Sequence, residues 1–199
     1  MRQLLLDFTQ APAPTFENYV HGGNAELFHT LDAAVQARLA ERVVYVWGES
    51  GAGKTHLAKA FEQAVRGRRG TRVIDGVERL GDEDQNELFN AFNERSFTFL
   101  LATASSAPRD LPLRRDLATR LASGLTYRVL PLTDDEKRHA LVAHARTRGF
   151  DLADDVCGYL LTHARRDMGS LIAALDAIDR YSLETGRPVT VPLLKAAIQ

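Results

Sequence analysis

One cysteine in 199 residues, Cys157, leaves this chain without an internal disulfide and without a cysteine-based zinc site. Such usage fits a reducing compartment, and the cytoplasm is the expected location. Charge of one sign is also missing: 25 basic and 26 acidic side chains give a formal net charge of -1, so no overall positive field exists to hold duplex nucleic acid non-specifically. Any contact with nucleic acid would be local. Long apolar runs are absent as well. The first apolar stretch is broken by Asp7, falls short of a signal-peptide core and has no small-residue cleavage site, so neither a membrane span nor export is expected. Low complexity is confined to "APAP", and no internal repeat is present.

A hydrophobic content of 45% is enough to bury a sizeable core, and its distribution is informative. After a proline-interrupted leader, Asn24 is a candidate helix cap ahead of Leu27, Phe28, Leu31, Val35 and Leu39 at helical spacing. "RVVYVW" (42–47) is a continuous β-branched and aromatic run, the pattern of a strand covered on both faces in a parallel sheet. A glycine-rich turn and a helical pattern through Leu57, Ala60, Phe61, Ala64 and Val65 follow it. "TRVID", "FTFLLATA" and "LTYRVL" read as further strands, separated by helical "DEDQNELFNAFNERS" and "DLATRLAS". This alternation predicts an α/β domain with a parallel sheet. From Thr133, which forms a capping box with Glu136, four helical segments follow without another strand. The expected organisation is therefore a leader (1–10), an α/β domain (11–131) and an all-helical subdomain (132–199).

"GESGAGKT" (48–55) fits G-x-x-x-x-G-K-[ST] directly after a buried strand and at the opening of a helix, the context that gives the motif its meaning. Gly48, Gly51 and Gly53 let backbone N–H groups converge on phosphate oxygens, and the helix N-terminus adds positive potential. Lys54 would reach the terminal phosphates and Thr55 would ligate Mg²⁺. Ser50, Ala52 and His56 complete the expected nucleotide-contacting run. Asp75, at the end of an apolar strand, is the candidate acid for the Mg²⁺ water shell. Position 76, where many P-loop ATPases carry a second acid that activates water, is glycine. Glu78 is near enough in sequence to substitute, but reads first as a solvated or salt-bridged surface residue. Weak intrinsic hydrolysis is expected.

Taken together these motifs resemble the AAA+ superfamily, and within it the branch of the bacterial replication initiator DnaA and its short relatives of the Hda type, over nearly the whole chain. The resemblance implies an AAA+ P-loop fold with a C-terminal helical lid, ADP or ATP as ligand, and DnaA itself as partner, with homo-oligomers possible. "TFENYV" is similar to the segment that lies against adenine, which makes Tyr19 and Val20 candidates for base contact. "DLATRL" is similar to the stretch bearing a trans-acting arginine finger, here Arg120. "ARRDMGSLIAALDAID" resembles the sensor 2 region of the lid, with Arg166 at the matching position. Either arginine would otherwise read as a surface ion-pairing residue.

Three departures qualify the likeness. Ser105 stands where DnaA relatives place an acidic sensor 1 residue. Only 20 positions separate Thr55 from Asp75, room for one helix and one strand but not for the additional edge β–α unit usual in the family. The sequence stops at Gln199, where DnaA would continue into a helix-turn-helix domain, so no sequence-specific DNA reader is expected. "QLLLDF" (3–8) resembles the peptide by which bacterial proteins bind the sliding clamp, the β subunit of DNA polymerase III, with Gln3, Leu4, Leu6 and Phe8 at its matching positions. When extended, Leu4, Leu6 and Phe8 project to one side, suited to an apolar groove; an N-terminal edge strand is the other reading. The function implied is inactivation of DnaA by stimulated hydrolysis of its bound ATP. A self-sufficient ATPase of the clamp- or helicase-loader kind and a nucleotide-stabilised adaptor are the alternatives.

Overall fold

The computed structural model describes residues 13–198 and divides into two compact units, one of residues 14–131 and one that takes in the chain from Leu132 onward. The clamp-like peptide at Gln3, Leu4, Leu6 and Phe8 lies outside the described residues.

In the first unit the helices and strands alternate as α1 (Ala25–Val35), β1 (Val43–Trp47), α2 (Lys54–Ala64), β2 (Thr71–Ile74), α3 (Asp82–Asn93), β3 (Phe99–Ala104), α4 (Arg115–Ala122) and β4 (Leu125–Arg128). The sheet is wholly parallel in the order β2-β3-β1-β4. Its centre explains the uninterrupted apolar runs. Alternate residues of β1 and β3 face opposite sides: Val44, Val46 and Leu101 pack with Leu27 and Leu31 of α1 and with Leu57 and Phe61 of α2. Val43, Tyr45, Leu100 and Ala102 pack instead with Leu88 of α3 and with Leu117 and Leu121 of α4. Four strands, with one helix and no further strand between β1 and β2, agree with the short spacing from Thr55 to Asp75.

Asn24 does precede α1, but its side chain makes no capping bond. Its amide instead accepts from the Leu130 N–H (2.7 Å) and donates to the Leu130 carbonyl (2.9 Å), replacing a local role with a link across 106 positions. A buried amide satisfies more polar groups there than at a helix end, where water is at hand.

The second unit contains α5 (Asp134–Thr147), α6 (Asp154–His163), α7 (Met168–Thr185) and α8 (Val191–Ile198). The capping box between Thr133 and Glu136 opens α5 as expected. Leu141, Val156, Leu160, Leu171, Leu175, Ile178 and Leu194 form its core. One acid, Asp179, is buried within it and accepts a 2.7 Å hydrogen bond from Arg148 Nε, the pairing that makes such burial tolerable. No helix among the described residues is long and apolar enough to cross a membrane.

Candidate nucleotide site

The loop between β1 and α2 is shaped by close approach. Gly48 has φ +157, and a Cβ on it would stand 2.7 Å from the Val129 carbonyl oxygen, so a side chain would push the loop away from the end of β4. The backbone then turns through Gly51 and Gly53 into the first turn of α2, which has no side-chain cap, and the N–H groups that open a helix have no acceptor within it, the arrangement that attracts phosphate. Lys54 Nζ donates to the carbonyls of Gly48 and Glu49, both at 2.8 Å, which folds its side chain back along the loop. Burial lowers its proton affinity, while the carboxylates of Glu78 and Asp75 act to raise it.

Asp75 follows β2 immediately, two strands away from β1, and the intervening strand supplies the connection. Thr103, 1% exposed on β3, donates to Asp75 Oδ1 at 2.6 Å and accepts the Gly76 N–H at 2.9 Å. From the other side Thr55 Oγ1 donates to Asp75 Oδ2 at 2.9 Å. A hydroxyl and a carboxylate so juxtaposed are hard oxygen donors of the kind Mg²⁺ takes alongside phosphate oxygens and water. Thr55 and Asp75 are thus brought together as expected, whereas Thr103 was hidden in the sequence among the β-branched and apolar residues of a buried strand. Ser105, one residue past β3, is exposed.

Gly76 adopts φ +79, and a Cβ there would meet the Arg79 guanidinium at 2.5 Å. Arg79 donates to the Asp75 carbonyl at 2.5 Å and its charge lies 3.8 Å from Oδ2. The position of the missing second acid is therefore covered by a cation. Glu78, expected to be a solvated or salt-bridged surface residue, is half-buried. Its Oε2 is buried and has no hydrogen-bond partner among the described residues, and it forms no ion pair there. Its charge acts on Lys54 and also, together with burial, raises the proton affinity of the Tyr45 phenol.

Tyr19 is buried, its ring so near the loop that a Cβ on Gly53 would stand 3.2 Å from it. Desolvation pushes its phenol up to about 12. His56 packs beside it, ring centroids 5.5 Å apart, and its Nε2 lies 3.0 Å from the Thr15 carbonyl. Burial lowers the pKa of His56, an effect only partly offset by that bond. Segment 15–20 is thus fastened to the first turn of α2, with Tyr19 against Gly53 of the phosphate loop; Val20 is half-buried.

Arg120 is exposed on α4, where its guanidinium makes one hydrogen bond among the described residues, 3.3 Å to Asn93 Oδ1, and no ion pair. Arg166 belongs to the helical unit, on the turn before α7, and donates to Asp134 Oδ1 at 2.5 Å. That bond is the main cause holding the Asp134 carboxyl below its ordinary range.

A phosphate loop between a buried parallel strand and a helix, an acid ending another strand of the same sheet, and a separate helical unit together define an AAA+ protein. Residues 11–76 match the bacterial DnaA ATPase domain family and residues 134–198 match the family described as Hda, lid domain. The chain belongs to the Hda-like, DnaA-related AAA+ proteins. An uncharacterized Haemophilus influenzae protein is 31% identical over an alignment of 225 positions covering 98% of this chain and 97% of the relative. Domain III of Thermotoga maritima DnaA superposes with a TM-score of 0.74 at 21% identity, covering 94% of this chain and 98% of that one. The AMPPCP-bound DnaA of Aquifex aeolicus gives 0.72 at 19% identity, covering 87% and 67%. A RuvB variant from Thermotoga maritima gives 0.70 at 17% identity, covering 94% and 72%.

Proposed function

We propose that this protein is a regulator of the replication initiator DnaA that holds adenine nucleotide with Mg²⁺, ADP being the resident form, and presents Arg120 to ATP bound by DnaA. The observation that carries the reading is Arg120 itself: exposed, free of any ion pair among the described residues, and held by a single 3.3 Å bond that is easily exchanged. Its fork would meet charge developing on the transferred phosphoryl oxygens of the partner's nucleotide. Arginine fingers supplied in this way are worth on the order of 10³ to 10⁵ in rate. Lys54, Thr55 and Asp75 hold this chain's own nucleotide, and Arg166 completes the phosphate contacts from the lid after exchanging Asp134. The peptide at 3–8 delivers the assembly to the DNA-loaded sliding clamp, Leu4, Leu6 and Phe8 entering an apolar groove and Gln3 bonding at its rim.

The test is hydrolysis of DnaA-bound ATP with and without this protein and a DNA-loaded clamp. Arg120→Ala should bind ADP and clamp as the parent does yet give no stimulation, and Arg120→Lys should rescue poorly because it lacks the planar fork. Alanine at Gln3, Leu4 and Phe8 should abolish clamp capture and leave ADP affinity unchanged. An Arg120→Ala protein that stimulates DnaA fully overturns the mechanism.

A further inference from the structure

We propose that the N-terminal rim of the parallel sheet, at the end of the α/β unit opposite the phosphate loop, docks on the phosphate backbone of duplex DNA without reading its sequence. The rim consists of the connectors from α1 to β1 (36–42), from α2 to β2 (65–70) and from α3 to β3 (94–98). They carry six arginines, Arg38, Arg42, Arg66, Arg68, Arg69 and Arg95, against two acids, Glu41 and Glu94, in a chain whose formal net charge is -1. All six arginines are exposed. The five residues of β1, about 16 Å of strand, separate this rim from the phosphate loop.

Hydrogen bonds draw the three connectors together. Arg68 donates to the carbonyls of Ala34, at 2.9 Å, and of Val35, which ties the second connector to the end of α1. The Gly70 carbonyl accepts from the Thr98 N–H at 2.8 Å, joining the second to the third, and Arg42 donates to the Phe97 carbonyl, joining the third to the first. In the sheet register Thr71 stands opposite Phe99 and Val43 opposite Leu100, so the strands that these connectors open are neighbours and span about 10 Å, two strand spacings. Arg42 and Arg68 are thereby committed to the fold. Arg72, next along β2, is paired with Glu87 at 2.5 Å. Arg38, Arg66, Arg69 and Arg95 make no side-chain hydrogen bond and no ion pair among the described residues, and Glu62 in the last turn of α2 pairs with none of them.

A helix end favours a cation, but that effect fades beyond the last turn. The last turns of α1, α2 and α3 hold no basic residue, and the arginines stand past them. Four unmatched guanidinium groups on separate connectors require an anion whose charges are spread over a similar width. One phosphate cannot reach them all, whereas a duplex presents phosphates every few ångströms along both strands, and the planar fork of arginine matches phosphate oxygens. The rim has no exposed aromatic ring to stack on bases and no exposed large apolar side chain to enter a lipid interior: Phe97 is buried, and the exposed large hydrophobics among the described residues, Leu130 and Leu183, lie elsewhere. This composition favours a duplex held by its backbone over a single strand or an acidic membrane. Because the phosphate loop lies at the other end of the strands, nucleotide and duplex can be held at once.

The experiment follows binding of the full chain to a fluorescein-labelled duplex of about 20 base pairs by anisotropy, as salt rises from about 50 to 200 mM. Neither clamp nor DnaA is present, so the outcome is independent of the function proposed above. With four phosphate contacts the affinity should fall about 150-fold over that range, a log–log slope near about -3.6, and duplexes of unrelated sequence should bind equally. Arg38→Gln, Arg66→Gln and Arg69→Gln together should flatten the slope to about -0.9 and leave ADP affinity unchanged. Should that variant melt early, Arg69→Gln alone, expected to flatten the slope by about 0.9, carries the test. A charge-matched variant of three exposed arginines in the helical unit, Arg146→Gln, Arg180→Gln and Arg187→Gln, should bind the duplex as the parent does. Equal losses in the two triple variants overturn the proposal, because net charge alone would then govern binding. So does a parent that binds no duplex, a rim variant that binds it fully, or tighter binding of a single strand of equal length. Phosphatidylserine vesicles or polyglutamate bound more tightly than the duplex, and released by the same three substitutions, would overturn it in favour of a membrane or an acidic protein.

Discussion

Replacing Thr103 with valine tests whether the hydroxyl between the two strands organises the site. The substitution preserves shape in a side chain that is 1% exposed, so it opens no cavity, and it removes the 2.6 Å bond to Asp75 Oδ1. The Gly76 N–H is not orphaned, because it also donates to the Thr103 backbone carbonyl at 3.1 Å. What is lost is a hydrogen bond to a charged group, worth about 1.5–3 kcal/mol when fully buried. The Asp75 side chain is 32% exposed and keeps Thr55 as a donor, so water replaces part of the loss and about 1.5–2 kcal/mol is expected. Urea unfolding followed by tryptophan fluorescence reads this unit directly, because the one tryptophan, Trp47, ends β1 with Arg128 5.3 Å above its ring. For a slope near 2 kcal/mol/M the midpoint should fall by about 1 M. Thr103→Ser, which keeps the hydroxyl, should recover the hydrogen-bond part. A valine variant as stable as the parent, or one that loses no more than the serine variant, would refute the reasoning.

Two further outcomes follow from the same geometry. Lys54→Ala should lower ADP affinity about 100-fold, the size of one or two charge-assisted bonds, without unfolding the unit; equal calorimetric affinities would remove the phosphate-loop assignment. His56, its pKa depressed from 6.5 by burial, stays neutral in the folded chain at a pH where the unfolded chain binds a proton. Its contribution to stability should be complete above pH 6.5 and be lost as pH falls toward the depressed value, and His56→Gln should flatten that part of the stability profile relative to the parent; superimposable profiles would count against it.

What the sequence disclosed was whatever depends on local pattern. "RVVYVW" reads as a doubly covered strand because its residues face two cores in turn, and "GESGAGKT" reads as a phosphate loop because a glycine turn between strand and helix is contiguous in the chain. The Thr133 capping box is equally local, spanning three positions. Pairings made by tertiary structure were not legible. Asn24 at the mouth of a helix looks like a cap, and nothing nearby announces that Leu130 will compete for its amide and win. Thr103 passes for strand filler until the fold sets Asp75 beside it. Glu78 looks like a surface acid, and nothing local shows that one of its carboxylate oxygens will be buried. In the helical unit, the apolar stripes give no sign that Asp179 will be enclosed, since its partner Arg148 lies 31 positions away.

The amide of Asn24 has a consequence for how this kind of chain can vary. By gripping both the N–H and the carbonyl of Leu130, it joins the place where the polypeptide enters the α/β unit to the place where it leaves. The unit is thereby a cassette with its input and output at one corner, and units whose ends meet accept neighbours on either side with little disturbance within. Extra segments can be gained, shortened or exchanged ahead of residue 15 and after residue 130 while the sheet keeps its order. The border strand β2 lies at the edge of the sheet opposite β4, farthest in strand order from that corner.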